Sequence, residues 1–179
     1  GSWFGMAGPG IAPLGQTDIV SHPADLRPTM LAVLGLRDDY IHDGVVLVDA
    51  LDGRALPAEM AKSRDVYAGL ARAYWNLNAP FGPFGRASLA LATQAIKGSD
   101  LVYQRYLDAI GTIQTRRDAL AQDIKTLLDG AAFAHIPLDA ASADGLVVRA
   151  ERLINDVEEL AGRSLGPADR PWKAASDAH

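Results

Sequence analysis

The chain has 179 residues, 49% of them hydrophobic and 22% charged, which excludes a wholly disordered polypeptide and suits one or two domains with a core of their own. Twenty-two acidic against 17 basic residues leave a formal charge of -5, which argues against a broad nucleic-acid face. There is no cysteine, so disulfides, thiolate metal sites and cysteine nucleophiles are excluded.

The longest apolar stretches, Met30 to Leu36 and Gly44 to Val48, fall far short of the roughly 20 residues a helix needs to cross a bilayer. The opening residues lack the basic head and apolar run of a signal peptide, and no membrane partner is expected. Residues 1–60 and 61–162 differ in texture. The first part is rich in glycine and reads as loops, one short strand and one helix. The second has long periodic runs with few breakers. From residue 163 to 179, prolines, glycine and small or charged residues read as a flexible tail.

In chain order, Gly5 to Ile11 carries three glycines in six positions and can approach another backbone closely. Asp25 to Leu36 is the clearest short helix, with Asp25 placed to cap its first turn and Pro28 tolerable there. Its Met30, Leu31, Val33, Leu34 and Leu36 offer apolar surface on more than one side. A polar turn, Arg37 to Gly44, follows. Then Gly44 to Val48 reads as a strand covered on both faces. One two-faced strand beside one helix is too little for a sheet, so the strand's partners are expected outside these residues.

Pro57 to Asn76 reads as a helix with Val66, Tyr67, Leu70, Tyr74 and Trp75 on its apolar side. Asn78 to Gly85 is a loop whose Phe81 and Phe84 are expected to plug the core edge, and Arg86 to Ile96 is a small helix. From Asp100 to about Leu128, Tyr103, Tyr106, Ile110, Ile113, Arg117, Leu120, Ile124 and Leu127 recur at alternating spacings of three and four, with Arg117 interrupting an apolar stripe. Leu146, Ala150, Leu153, Val157 and Leu160 repeat the spacing, so two antiparallel helices are expected. The fold class that follows is α+β but mainly helical: a small N-terminal remnant of an α/β core, then a helical bundle.

Candidate chemistry is sparse. His22, His42, His135 and His179 show no helical ligand spacing. His22 and His42 have aspartates close by, whereas His135 reads as partly buried packing. Asp38, Asp39 and Asp43 read as a solvated acidic turn, and Arg27 and Arg37 as partners of nearby acids. Ser21 adjoins His22, but adjacency is not the geometry by which a base activates a serine.

The composite Gly8-Pro-Gly-Ile11, Ser21-His22, Asp25 to Leu36 and Asp38 to Gly44 resembles the C-terminal end of type I phosphodiesterase / nucleotide pyrophosphatase-like proteins of the alkaline phosphatase and sulfatase superfamily. Tyr74 to Gly85 and Arg117 to Leu120 are similar to a helical extension carried by a secreted bacterial subgroup. The resemblance covers roughly residues 3–162. It implies a large α/β core with helices on both faces of a sheet, one or two divalent metals, usually zinc, and a threonine or serine nucleophile. Such enzymes cleave phosphate or sulfate esters through a covalent intermediate. In that superfamily the nucleophile and most metal-binding aspartates lie earlier than the stretch matched here. The resemblance therefore implies that residues 1–60 are the last segment of the core and 61–162 its helical domain. It also implies a periplasmic or secreted location, and a catalytic portion or partner chain upstream. His22 matches a late histidine that is a metal ligand in relatives with a His-Thr pair, although Pro23 stands here in place of the threonine. No catalytic residue is expected in this chain. A stand-alone helical interaction module, with a possible homo-oligomer, is the alternative reading.

Overall fold

The computed structural model describes residues 3–37, 40–96 and 99–162; the tail and the Asp38-Asp39 pair lie outside the described residues. The chain is mainly helical. Its helices are α1 (Leu26–Val33), α2 (Ala58–Lys62), α3 (Arg64–Asn78), α4 (Pro83–Ala95), α5 (Asp100–Phe133) and α6 (Ala140–Gly162). Short 3-10 turns at Pro23–Asp25, Val48–Ala50 and Gly53–Ala55 shape the N-terminal part. No described helix is long and apolar enough to cross a membrane.

The residues fall into two compact units. One comprises the described residues up to Arg72 together with Ile124–Gly145, and the other comprises Ala73–Asp123 together with the described residues from Leu146 onward. Arg64, donating to Val48 O, and Tyr67, accepting the Val46 N–H, tie the first turns of α3 to the N-terminal residues.

In the first unit the expected strand is not formed. Among the described residues the only β pairing is one isolated antiparallel bridge, Ile11 to Leu51, closed by Ala12 N–H to Ala50 O at 3.0 Å and Asp52 N–H to Gly10 O at 2.8 Å. Val45 to Leu47 are buried but belong to no ladder, and the backbone turns at Leu47 (φ -77°, ψ 70°). Leu51, Met60, Tyr67, Leu70 and Leu128 of the same unit are each no more than 1% exposed, and the Tyr67 hydroxyl meets the Val46 N–H. The burial read from the sequence is therefore present, but without a ladder among the described residues. α1 is also turned relative to expectation. Pro28, Thr29 and Ala32 face inward, while Met30, Leu34 and Leu36 are exposed.

The second unit follows most of the expected periodicity, although Tyr103, the first residue of the stripe, is 39% exposed. On α5, Tyr106, Ile113 and Leu120 are buried, as are Leu146, Ala150, Leu153, Val157 and Leu160 on α6. Burying one such leucine contributes roughly 1.5–3 kcal/mol before entropy, so a stripe of them holds a helix in place. Arg117 interrupts the stripe for a reason. Its Nη1 donates to Asn78 Oδ1 at 3.0 Å, its guanidinium lies 5.6 Å from the Phe84 ring centroid, and its Nε pairs with Asp118 at 2.8 Å. Phe84 is buried as expected, but Phe81 is 84% exposed because it sits on the turn before α4 rather than on the helix. α6 begins on Asp139, whose carboxylate accepts from the Ser142 hydroxyl at 2.6 Å and N–H at 2.8 Å. These bonds hold the Asp139 carboxyl below its ordinary range.

Two glycines make opposite predictions. A Cβ on Gly85 would sit 2.3 Å from the Pro80 carbonyl oxygen, whereas one on Gly111, exposed within α5, would meet nothing within 4 Å. Gly111→Ala is expected to raise stability by up to about 1 kcal/mol through helix propensity, and Gly85→Ala to lower it by more than about 1 kcal/mol through the clash. Urea unfolding monitored by circular dichroism measures both.

Candidate functional site

Of the residues that the sequence singles out for chemistry, His22 lies with Asp25 at the turn preceding α1. His22 enters it with extended backbone (φ -121°, ψ 152°), and Pro23, Ala24 and Asp25 form the 3-10 turn closed by Asp25 N–H to His22 O at 2.9 Å. Proline at the first position suits such a start because its missing N–H needs no partner there. Asp25 is completely buried. Its Oδ2 accepts the His22 N–H at 2.8 Å and its Oδ1 accepts the Val45 N–H at 2.8 Å. The cap expected of Asp25 is thus replaced by a bridge: the carboxylate reaches back to the residue before the turn and across to the buried 45–47 segment.

Two further side chains complete the set. The Thr29 hydroxyl donates to Asp25 O at 2.6 Å, which orients its lone pairs, and accepts the Leu47 N–H at 3.0 Å. The Tyr67 phenol oxygen accepts the Val46 N–H at 3.1 Å. Three consecutive buried main-chain donors are therefore satisfied by Asp25, Tyr67 and Thr29, side chains from three different places in the chain. Arg64 adds the complementary service to acceptors, donating from one Nη2 to Val48 O at 2.6 Å and Leu51 O at 3.0 Å. Gly44 lets the segment approach. A Cβ there would lie 2.0 Å from Ala24 O and 2.9 Å from Asp25 N, so only glycine permits the turn and the segment to touch. Burial pushes the Tyr67 phenol well above its ordinary value of 10.0, with the Val46 N–H opposing the shift and the charges of Asp129 and Asp25 reinforcing it.

The other candidates are dispersed. His42 is half-buried, with its ring edge-on to Phe133 at 6.1 Å. His135 is exposed rather than packed, and it adopts φ 54° where α5 ends. Asp43 is exposed, Ser21 is half-buried, and Arg27 lies 5.1 Å from the Tyr40 ring centroid. Trp3, Phe4, Met6, Ile11 and Leu14 line an open groove of about 290 Å³ that also reaches Ser21 and Leu47.

Among the described residues no group of three or more His, Asp or Glu side chains is placed to hold a metal ion. The carboxylate closest in sequence to His22, Asp25, has each oxygen directed at a main-chain N–H. Sequence reasoning missed Tyr67 and Arg64 as partners of the Val45–Val48 segment. Their signal was present only as a tyrosine and an arginine at the start of an amphipathic helix.

No family model, curated protein or solved structure matches the chain. The resemblance to the phosphodiesterases rests on the residues quoted for it.

Two outcomes check the hydrogen-bond assignments. Thr29→Val keeps the shape and removes the acceptor of the Leu47 N–H, and is expected to cost about 1–3 kcal/mol in urea unfolding. The raised Tyr67 value makes folding favour the neutral phenol, so this contribution is whole below roughly pH 10 and is lost as pH rises from there. Tyr67→Phe should lower stability at neutral pH yet flatten the fall in stability above pH 10, as thermal melts across that range would show.

Proposed function

We propose that this chain is the C-terminal part of a metal-dependent phosphodiesterase- or phosphatase-like hydrolase and is not catalytic by itself. In this reading residues 1–60 are the last segment of an α/β core whose sheet, nucleophile and metal ligands are supplied by an upstream portion or a partner chain. Residues 61–162 form an appended helical domain. The parent protein would be periplasmic or secreted, like the subgroup it resembles.

Beside the resemblance, the observation that carries this reading is the condition of the first twenty residues. Trp3 is 92% exposed and Val20 77%, and Phe4 and Leu14 are also exposed, along a segment held by the single bridge at Ile11. Large apolar side chains left exposed along one segment mark a surface that another body covers. Each would contribute on the order of 1.5–3 kcal/mol if fully buried. An α/β core supplies both the apolar cover and the main-chain partners such a segment needs.

The outward side of α1 favours the interaction-module reading as well, since Met30, Leu34 and Ile41 are exposed there and just beyond it. The two readings separate in one experiment. The DNA upstream of Gly1 is sequenced, and the whole frame and this chain are expressed and assayed with bis(p-nitrophenyl) phosphate and zinc. The proposal expects an upstream frame encoding an early Asp and a Thr or Ser nucleophile, turnover by the whole protein and none by this chain. Turnover by this chain alone, or a frame without such residues, would contradict it.

A further inference from the structure

We infer that the turn between α3 and α4, together with the outer face of α4, is a docking surface for a protein segment that carries a carboxylate among apolar side chains. Phe81 is its anchor and Arg86 its charge partner. This inference goes beyond the phosphoesterase reading and stands with or without an upstream catalytic portion.

The turn gives two phenylalanines opposite fates. Phe84 is 4% exposed, with its ring centroid 5.6 Å from the Arg117 guanidinium, whereas Phe81 is 84% exposed. The backbone that presents Phe81 is closely restrained. Pro80 and Pro83 fix φ on either side of it. The Gly82 N–H donates to Ala79 O at 2.9 Å, and the Ala79 N–H to Trp75 O at 2.8 Å. Gly85 lets the first turn of α4 close on the Pro80 carbonyl, which a Cβ there would meet at 2.3 Å. A large aromatic side chain held in solvent on a restrained turn gives up little freedom on entering a pocket, which is the condition of an interface anchor.

The helix continues the surface. α4 buries Phe84, Ala87, Leu91 and Ala95. Its other side carries Arg86, Leu89 and Thr93, and Ile96 follows at its end; Leu89 is 66% exposed and Ile96 78%. The Thr93 hydroxyl is already spent on Leu89 O at 2.8 Å. Charge then selects the occupant. From Leu77 to Ile96, Arg86 is the sole charged residue, in a chain that is 22% charged and carries a net -5. Among the described residues no carboxylate pairs with Arg86, and its Nη1 donates instead to Phe81 O at 3.3 Å, which keeps the cation beside the anchor. An apolar face with one cation and no acid is complementary to an apolar segment bearing a carboxylate. Two copies of this face about a two-fold axis would bring together like charges and no opposite ones, which disfavours self-docking. One arginine also falls far short of the roughly four to eight basic residues that hold a protein to an anionic membrane.

The test uses the 179-residue chain and the variants Phe81→Ala, Arg86→Glu and Leu34→Ala, the last altering an exposed leucine at the end of α1. A phage-displayed library of random linear peptides is selected on the parent chain, and the affinities of enriched peptides are measured by calorimetry on all four proteins. The expected result is enrichment of peptides that combine Asp or Glu with large apolar residues. Phe81→Ala and Arg86→Glu should each weaken their binding about tenfold or more, and Leu34→Ala should leave it unchanged. Replacing the peptide's acid with lysine should restore binding to Arg86→Glu. Both altered side chains are exposed, so Tm should stay within about 2 °C of the parent. Should Phe81→Ala shift the Tm further, Arg86→Glu and its lysine rescue carry the test. No enriched peptide, enrichment without acids, affinity indifferent to Phe81→Ala or Arg86→Glu, failure of the rescue, or an equal loss in Leu34→Ala would each overturn the inference. So would sedimentation with phosphatidylserine vesicles, or dimerisation seen by light scattering, that Phe81→Ala abolishes. Phosphodiester turnover does not enter these measurements, so this inference and the phosphoesterase reading fail separately.

Discussion

Three adjacent main-chain N–H groups, those of Val45, Val46 and Leu47, are buried without a β-ladder, and the N-terminal half of this protein is arranged around satisfying them. A buried amide without an acceptor costs about as much as a lost hydrogen bond, and three in a row would exceed what the local apolar contacts return. A sheet solves that problem with a neighbouring strand. Here it is solved by a carboxylate, a phenol and a hydroxyl, each aimed at one donor at 2.8, 3.1 and 3.0 Å.

That solution explains features that otherwise look unrelated. α1 turns its threonine inward and leaves Met30 and Leu34 in solvent because Thr29 must reach Leu47. Asp25 gives up the ordinary capping geometry because its oxygens serve Val45 and His22. The first turns of α3 group with the N-terminal residues because Tyr67 and Arg64 face the same segment, one supplying an acceptor and the other donors. Gly44 is required where the segment meets the turn, since any side chain would overlap the Ala24 carbonyl. In each case a polar requirement of the backbone overrides the preference of an individual side chain.

The helices were legible in the sequence because their information is periodic. Alternating threes and fours from Tyr106 to Leu120, and from Leu146 to Leu160, translate directly into buried faces. The continuous apolar run Val45 to Val48 announced burial on all sides equally well. It did not announce what would cover it, because a run of that length is compatible with a sheet interior or with helical cover. The partners are 16 to 21 residues away, on side chains whose polar character reads as surface when taken one at a time. For the same reason the turn at His22 reads as a site of chemistry: a histidine and an aspartate in proximity suggest ligands, and only the direction of the Asp25 oxygens reveals a backbone role. Arg117, which reads as a flaw in a stripe, is a joint between Asn78 and Phe84 that no spacing rule encodes.

The exposed Trp3 and Val20 and the satisfied Val45 to Leu47 divide the N-terminal part into a stretch that invites cover and a stretch that already has it. Amide hydrogen exchange on the isolated chain measures that division most directly. The account predicts that the amides of Val45, Val46 and Leu47 exchange as slowly as those of the most protected helix interiors, because their acceptors are carried by this same chain. Exchange at those three amides as fast as in an unstructured peptide would contradict it, and would place their acceptors in another molecule.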